Sequence, residues 1–183
     1  MDKVYIFLAD GVEEIEALTV VDLLRRVDID ITLISIEENV DIYGSHGIVF
    51  SADKVFDEVS FEDVDMLILP GGTQGAKKLG KHVELMDKVK EFDKEGKMIA
   101  AICFAPTVLA AHDLLRGRRA TCYPALSENL TGGLYEESSV VVDGNLITSR
   151  GLGTSIDFAL AIIEHFKGIS VAEELKKQIV YNV

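Results

Sequence analysis

The residue in this chain best placed to do chemistry is Cys103, in the run AAICFAP at 100–106. A strand of small and apolar residues passes through one polar, reactive side chain straight into a helix beginning near Ala105, with Pro106 suited to the first helical turn. That is the layout of a nucleophile elbow, where backbone N–H groups lie beside a nucleophile held on a sharp turn. A thiol at a helix N-terminus has its thiolate favoured by the dipole and by unpaired donors, so a depressed pKa is expected at Cys103. The competing reading is a buried core cysteine, the usual fate of a free thiol.

Carboxylates supply the second set of candidates. Glu13, Glu14 and Glu16 open a helix after the first strand. Any of them could exchange a proton with a thiol or a substrate hydroxyl, and any could instead serve the helix dipole alone. Gly71 and Gly72, after Pro70, permit close backbone approach and could offer N–H groups to an oxyanion; a plain turn is the alternative. Among the histidines, His112 lies nine residues beyond Cys103, about 13 Å along a helix at roughly 1.5 Å per residue, and reads as a helix C-cap. His82 and His165 read as solvated, and His46 falls in a hairpin loop. Cys122 reads as a buried residue of a short strand, Ala120 to Tyr123, with a resolving thiol as the sharper alternative. No spacing of His and Cys suggests zinc, so no metal is expected.

Positioning these groups requires a sheet. Apolar runs recur at 4–9, 31–36, 66–69, 98–102 and 145–149, mostly separated by helical patterns. Such alternation predicts an α/β fold with a mainly parallel sheet covered on both faces. Ile15, Leu18, Val20, Val21 and Leu24 mark the first helix, and Leu85, Met86, Val89 and Phe92 a later one. Hairpins are expected over 40–51, turning at Gly44 to Gly47, and over 140–149, turning at Asp143-Gly144. Helices from Thr154 to Phe166 and from Val171 to Ile179 close the chain. In an open parallel sheet ligands bind beyond the carboxyl ends of the strands. That edge gathers Asp10 to Glu16, Pro70 to Thr73, Cys103 to Pro106 and Arg150 to Ser155.

Composition bounds the rest. The 183 residues fit one domain spanning 1–183, and no apolar run approaches the roughly 20 residues of a membrane span. A formal net charge of −13 argues against a nucleic-acid partner. Two cysteines, with acidic residues following the first apolar run where a signal cleavage site would lie, point to a reducing, cytoplasmic setting.

Four separated motifs, DGVEEIEA at 10–17, LPGG at 69–72, AAICFAPTVLA at 100–110 and TSRGLGTSIDFALAI at 148–162, resemble the ThiJ/PfpI superfamily. The likeness is nearest to the branch of the Parkinsonism-associated protein deglycase and its bacterial relatives, and it is collinear from about residue 3 to the last helix. It implies a flavodoxin-like three-layer sandwich, usually a homodimer, with an oxidation-sensitive cysteine. Cys103 matches the family's elbow cysteine and Glu16 its partner carboxylate. Gly72 and the Phe104 N–H match the donors beside the thiol, and Gly71, Gly153 and Thr154 belong to the pocket motifs. Arg26 matches a basic residue at the dimer-side mouth of the pocket. One position departs: Tyr123 stands where many members carry a histidine before the proline, here Pro124, which argues against a Cys–His peptidase. Phe104 is also bulkier than the small residue common after the elbow.

The resemblance implies a cofactor-independent stress-protection enzyme acting on small reactive aldehydes such as methylglyoxal, or on early glycation adducts of proteins. The alternative is a non-enzymatic redox sensor or chaperone that works through oxidation of Cys103. A structural subunit with a vestigial site is a third reading.

Overall fold

The computed structural model describes residues 2–182. Its frame is a seven-stranded sheet in the order β10-β11-β7-β6-β1-β2-β5. The strands are β1 (Lys3–Leu8), β2 (Asp30–Ser35), β5 (Lys54–Val55), β6 (Met66–Leu69), β7 (Met98–Ile102), β10 (Val140–Asp143) and β11 (Leu146–Ser149). All neighbours pair in parallel except β10 with β11, which form the expected hairpin. Counted among themselves, the five inner strands run 2-1-3-4-5, the flavodoxin-like order. The order reverses between β1 and β6, and the crevice beyond their carboxyl ends is where such folds take ligands.

Side chains alternate across a strand, and β1 shows how that divides the core. Val4, Ile6 and Leu8 face one layer, with Val20, Val21 and Leu24 of α1 (Glu14–Arg25), Phe158, Ile162 and Ile163 of α5 (Ser155–Lys167), and Leu175 of α6 (Ile169–Gln178). Tyr5, Phe7 and Ala9 face the other. There they meet Leu79 of α2 (Thr73–Lys81), Leu85, Met86, Val89 and Phe92 of α3 (Val83–Glu95), and Leu109 of α4 (Ala105–Ala111). β6, β7 and β11 are buried along their whole length, as strands covered on both faces must be.

Two small ladders complete the structure. β3 (Asp41–Tyr43) and β4 (Val49–Ser51) form the first expected hairpin. β8 (Arg119–Ala120) pairs in parallel with β9 (Leu134–Tyr135). The strand expected over 120–123 therefore stops at Ala120, although Cys122 is fully buried as anticipated. His112 is the C-cap of α4, and its Nε2 lies 2.9 Å from the Gly80 carbonyl oxygen. His82 corrects the solvated reading: it caps α3, its Nδ1 accepting from the Leu85 N–H at 3.2 Å, and its ring packs on Phe56.

Candidate active site

Cys103 sits immediately beyond β7 with φ of +65°, a left-handed conformation that non-glycine residues rarely adopt. The turn is clamped from both sides. The Cys103 N–H donates to the Ser149 carbonyl at the end of β11 (3.0 Å), and its own carbonyl accepts from the Tyr123 N–H (2.9 Å). α4 starts two residues later with Pro106 in its first turn, so the elbow expected from AAICFAP is the one observed. The Phe104 and Gly72 N–H groups lie close enough to the sulfur to favour its thiolate.

Glu16 comes to the same point from the first turn of α1 and is 1% exposed. Its Oε2 accepts the Gly71 N–H at 3.0 Å, and the Leu152 N–H and the Cys103 thiol lie close enough to its carboxyl group to favour its charged form. Glycine is required at two places around this pair. A Cβ at Gly71 would overlap the Glu16 carboxylate and stand 2.7 Å from the Cys103 Cβ. At Gly72, where φ is +85°, it would overlap the Gly11 carbonyl and the Glu13 N–H.

Electrostatics correct one expectation. Burial pushes the Glu16 carboxyl up to about 7, with Glu13 adding to the rise. Burial and the Glu16 charge together push the Cys103 thiol up to about 12, against the opposing pull of the two N–H donors. The depressed thiol expected from the helix terminus is thus not found, because desolvation beside a carboxylate outweighs the dipole. Two acids in contact titrate as a pair: below about pH 7 Glu16 and Cys103 together hold two protons, and above it they hold one. Moving that proton from sulfur to Glu16 leaves a thiolate already facing two N–H donors.

The thiol opens into a cleft of about 590 Å³. Gly72, Phe104 and Tyr123 line it, whereas Gly71 and Glu16 are buried and are not part of its lining. Phe104 is half-buried, and its ring carries Lys77 Nζ at 5.6 Å. Within this chain three further candidates stand outside the cleft lining. Arg26 is the C-cap of α1, at the far end of that helix from Glu16, where it pairs with Asp22 at 2.7 Å and borders a separate groove. Gly153 is exposed and away from the thiol. Thr154 acts indirectly: its Oγ1 accepts the Gly151 N–H at 3.1 Å and lies 2.7 Å from Ser149 Oγ, holding the turn after β11.

The residue of that turn nearest the chemistry is Gly151, where a Cβ would lie 3.7 Å from the sulfur and 3.8 Å from Glu16 Oε1. The opposite wall belongs to the hairpin turn Gly44, Ser45 and His46. It is anchored on Glu14, 2% exposed, which accepts the His46 N–H at 2.7 Å. Burial alone would raise the Glu14 pKa, but backbone and His46 hydrogen bonds outweigh it and draw it to about 2.

Residues 2–165 match the DJ-1/PfpI family. The chain belongs to that family. Among its DJ-1 relatives, DJ-1 homolog B of Arabidopsis thaliana is 37% identical over 96% of this chain, which spans only 40% of the length of that relative. A protein named deglycase from Pyrococcus abyssi is 33% identical over 81% of this chain and 89% of its own. In structure, oxidized DJ-1 of Toxoplasma gondii superposes with a TM-score of 0.96 at 33% identity, covering both chains fully. The four motifs that suggested the superfamily thus fall on the strand ends that build this DJ-1-type site, apart from Gly153. No helix among the described residues is long and apolar enough to cross a membrane.

Proposed function

We propose that this DJ-1 family protein is a cofactor-independent stress-protection enzyme that removes small reactive carbonyls, or their early adducts on proteins, through Cys103 and Glu16. The observation that carries the reading is a thiol on a left-handed elbow beside a buried carboxyl, with the Gly72 and Phe104 N–H groups favouring its thiolate. On methylglyoxal, Glu16 accepts the thiol proton as sulfur adds to the aldehyde, and the Gly72 and Phe104 N–H groups stabilise the developing oxyanion. Glu16 returns that proton to the oxyanion, giving the hemithioacetal and freeing its carboxylate. Glu16 then removes the proton from the former aldehyde carbon and delivers it to the neighbouring ketone carbon, so the first is oxidised and the second reduced. Water hydrolyses the resulting thioester, releasing lactate and restoring the thiol. The P. abyssi relative's name, deglycase, supports the adduct version of the reaction.

The test is lactate formation from methylglyoxal by the wild-type chain with Cys103→Ala as control. Turnover that survives this substitution rejects the reading. Glu16→Gln should lower turnover by roughly 10²- to 10⁴-fold, the usual contribution of a general acid–base.

A second reading, redox sensing, draws on the same donors, because the N–H groups aimed at the sulfur would also hold the oxygens of a sulfinate. The oxidized state of the T. gondii relative favours it. Peroxide titration followed by intact mass separates the two: Glu16→Gln should lose turnover yet still form sulfinate at Cys103. We place the protein in the cytoplasm, a reading supported by its two free thiols.

A further inference from the structure

The cleft wall opposite Cys103 carries a cluster that the carbonyl chemistry does not use. Glu13 and Glu14 at the start of α1 meet Ser45 and His46 of the hairpin turn, although Glu14 and His46 lie 32 residues apart in sequence. Folding alone assembles them, so no ligand spacing shows in the sequence.

The separations are those of a metal shell. His46 Nδ1 lies 3.5 Å from Glu13 Oε2 and 3.2 Å from Glu14 Oε2. Ser45 Oγ lies 3.4 Å from Glu13 Oε2, 3.2 Å from Glu14 Oε2 and 2.9 Å from His46 Nδ1. Zinc binds nitrogen and carboxylate oxygen at about 2.0 to 2.1 Å, which puts neighbouring ligands of a tetrahedral site about 3.3 Å apart. Five of the six edges among these four atoms are therefore near the required length before any side chain moves.

Charge and rigidity agree with the spacing. Two carboxylate oxygens converge on one point, and the cation available to them among the described residues is the imidazole itself when protonated. Glu14 is fixed by burial, and the turn is shaped around it: a Cβ at Gly44 would overlap its carboxylate. His46 has a side chain 67% exposed, so an ion can enter from the cleft without unfolding anything.

The geometry points to a divalent transition-metal site, best suited to zinc, formed by Glu13, Glu14 and His46 with Ser45 Oγ or water completing the shell. It is separate from the Cys103–Glu16 pair and does not depend on the function proposed above. A soft ion could instead choose the thiol, so the test must divide the two.

The experiment is calorimetric titration of the full chain with zinc chloride after removal of metal by chelator. It is run on wild type, on the Cys103→Ser/Cys122→Ser double variant, on His46→Ala at the exposed turn, and on Glu13→Gln at the N-cap of α1, both outside the hydrophobic core. One zinc per chain is expected in wild type and in the thiol-free variant, with affinity at least tenfold weaker in His46→Ala and in Glu13→Gln. Cobalt should give the visible absorption of a tetrahedral nitrogen and oxygen site in the thiol-free variant. No binding at 100 μM zinc, binding lost with the thiols, or binding unchanged by His46→Ala would each overturn the proposal. Far-ultraviolet circular dichroism of His46→Ala distinguishes a lost ligand from a lost fold.

Discussion

Replacing Glu16 by Gln should shift stability in the variant's favour as pH rises through a defined window. In the folded chain Glu16 titrates at about 7 against an ordinary value of 4.5. A carboxyl whose folded pKa is raised holds its proton longer when folded than when unfolded, so stability falls as pH rises from 4.5 towards 7. Each unit of displacement is worth about 1.4 kcal/mol, and the interval from 4.5 to about 7 therefore corresponds to about 3 kcal/mol once Glu16 is ionised. Gln is neutral in both states and lacks this loss. Contacts altered by the substitution shift its stability by the same amount at every pH, and the Cys103 thiol, coupled to Glu16, titrates above this window. The assay is urea unfolding of wild type and Glu16→Gln at half-unit steps from pH 5 to pH 7.5. The difference in unfolding free energy should change by about 2.4 kcal/mol in favour of the variant across that range. A difference that stays constant to within about 0.5 kcal/mol would show that Glu16 ionises like an exposed carboxylate, and the shared proton would be wrong.

Iodoacetamide should modify Cys103 before Cys122 in the folded protein, because Cys103 opens to the cleft and Cys122 is fully buried; equal rates by peptide mass mapping would contradict this. Gly72→Ala should cost more than about 2 kcal/mol in thermal or urea unfolding, since a strained φ and a backbone collision coincide there. Gly47→Ala, with a similar φ but open space around it, should cost about 1 kcal/mol, and equal losses would refute the collision. Light scattering should give twice the 20.0 kDa chain mass, with the exposed Ile15 and Leu152, each 48% accessible, in the contact; the mass of one chain at micromolar concentration would refute it.

The sheet and the elbow were legible because their signals are local. Fully apolar strands and the Cys103-to-Pro106 junction each occupy one short segment of chain. α2 was not legible: TQGAKKLGK offers only Ala76 and Leu79 as buried apolar residues, and it packs through glycine, Gly75 meeting the backbone of Val12 and Gly80 the side chain of Val108. Close backbone approach leaves no hydrophobic periodicity to read. Arg26 lies ten positions beyond Glu16 on the same helix, about 15 Å away, so within one chain it does not reach the Glu16 end of the cleft. Val20, Val21 and Leu24 fit a partner or a core equally well in sequence, and the structure commits them to the core of the chain itself. The His46 turn and Gly151 depend on contacts between distant segments, and the raised thiol on how deeply Glu16 is buried. None of these is encoded in spacing.

The left-handed backbone at Cys103 implies a conflict between durability and reactivity. A side chain held at φ of +65° costs of order 1 to 3 kcal/mol that glycine would not incur. Mutation directed only at thermal resistance should therefore drift towards glycine at position 103, giving a sturdier chain with no sulfur to react. The cysteine persists in that corner only while its chemistry is under selection, so its retention in laboratory-evolved lines is itself a measure of whether the thiol is used.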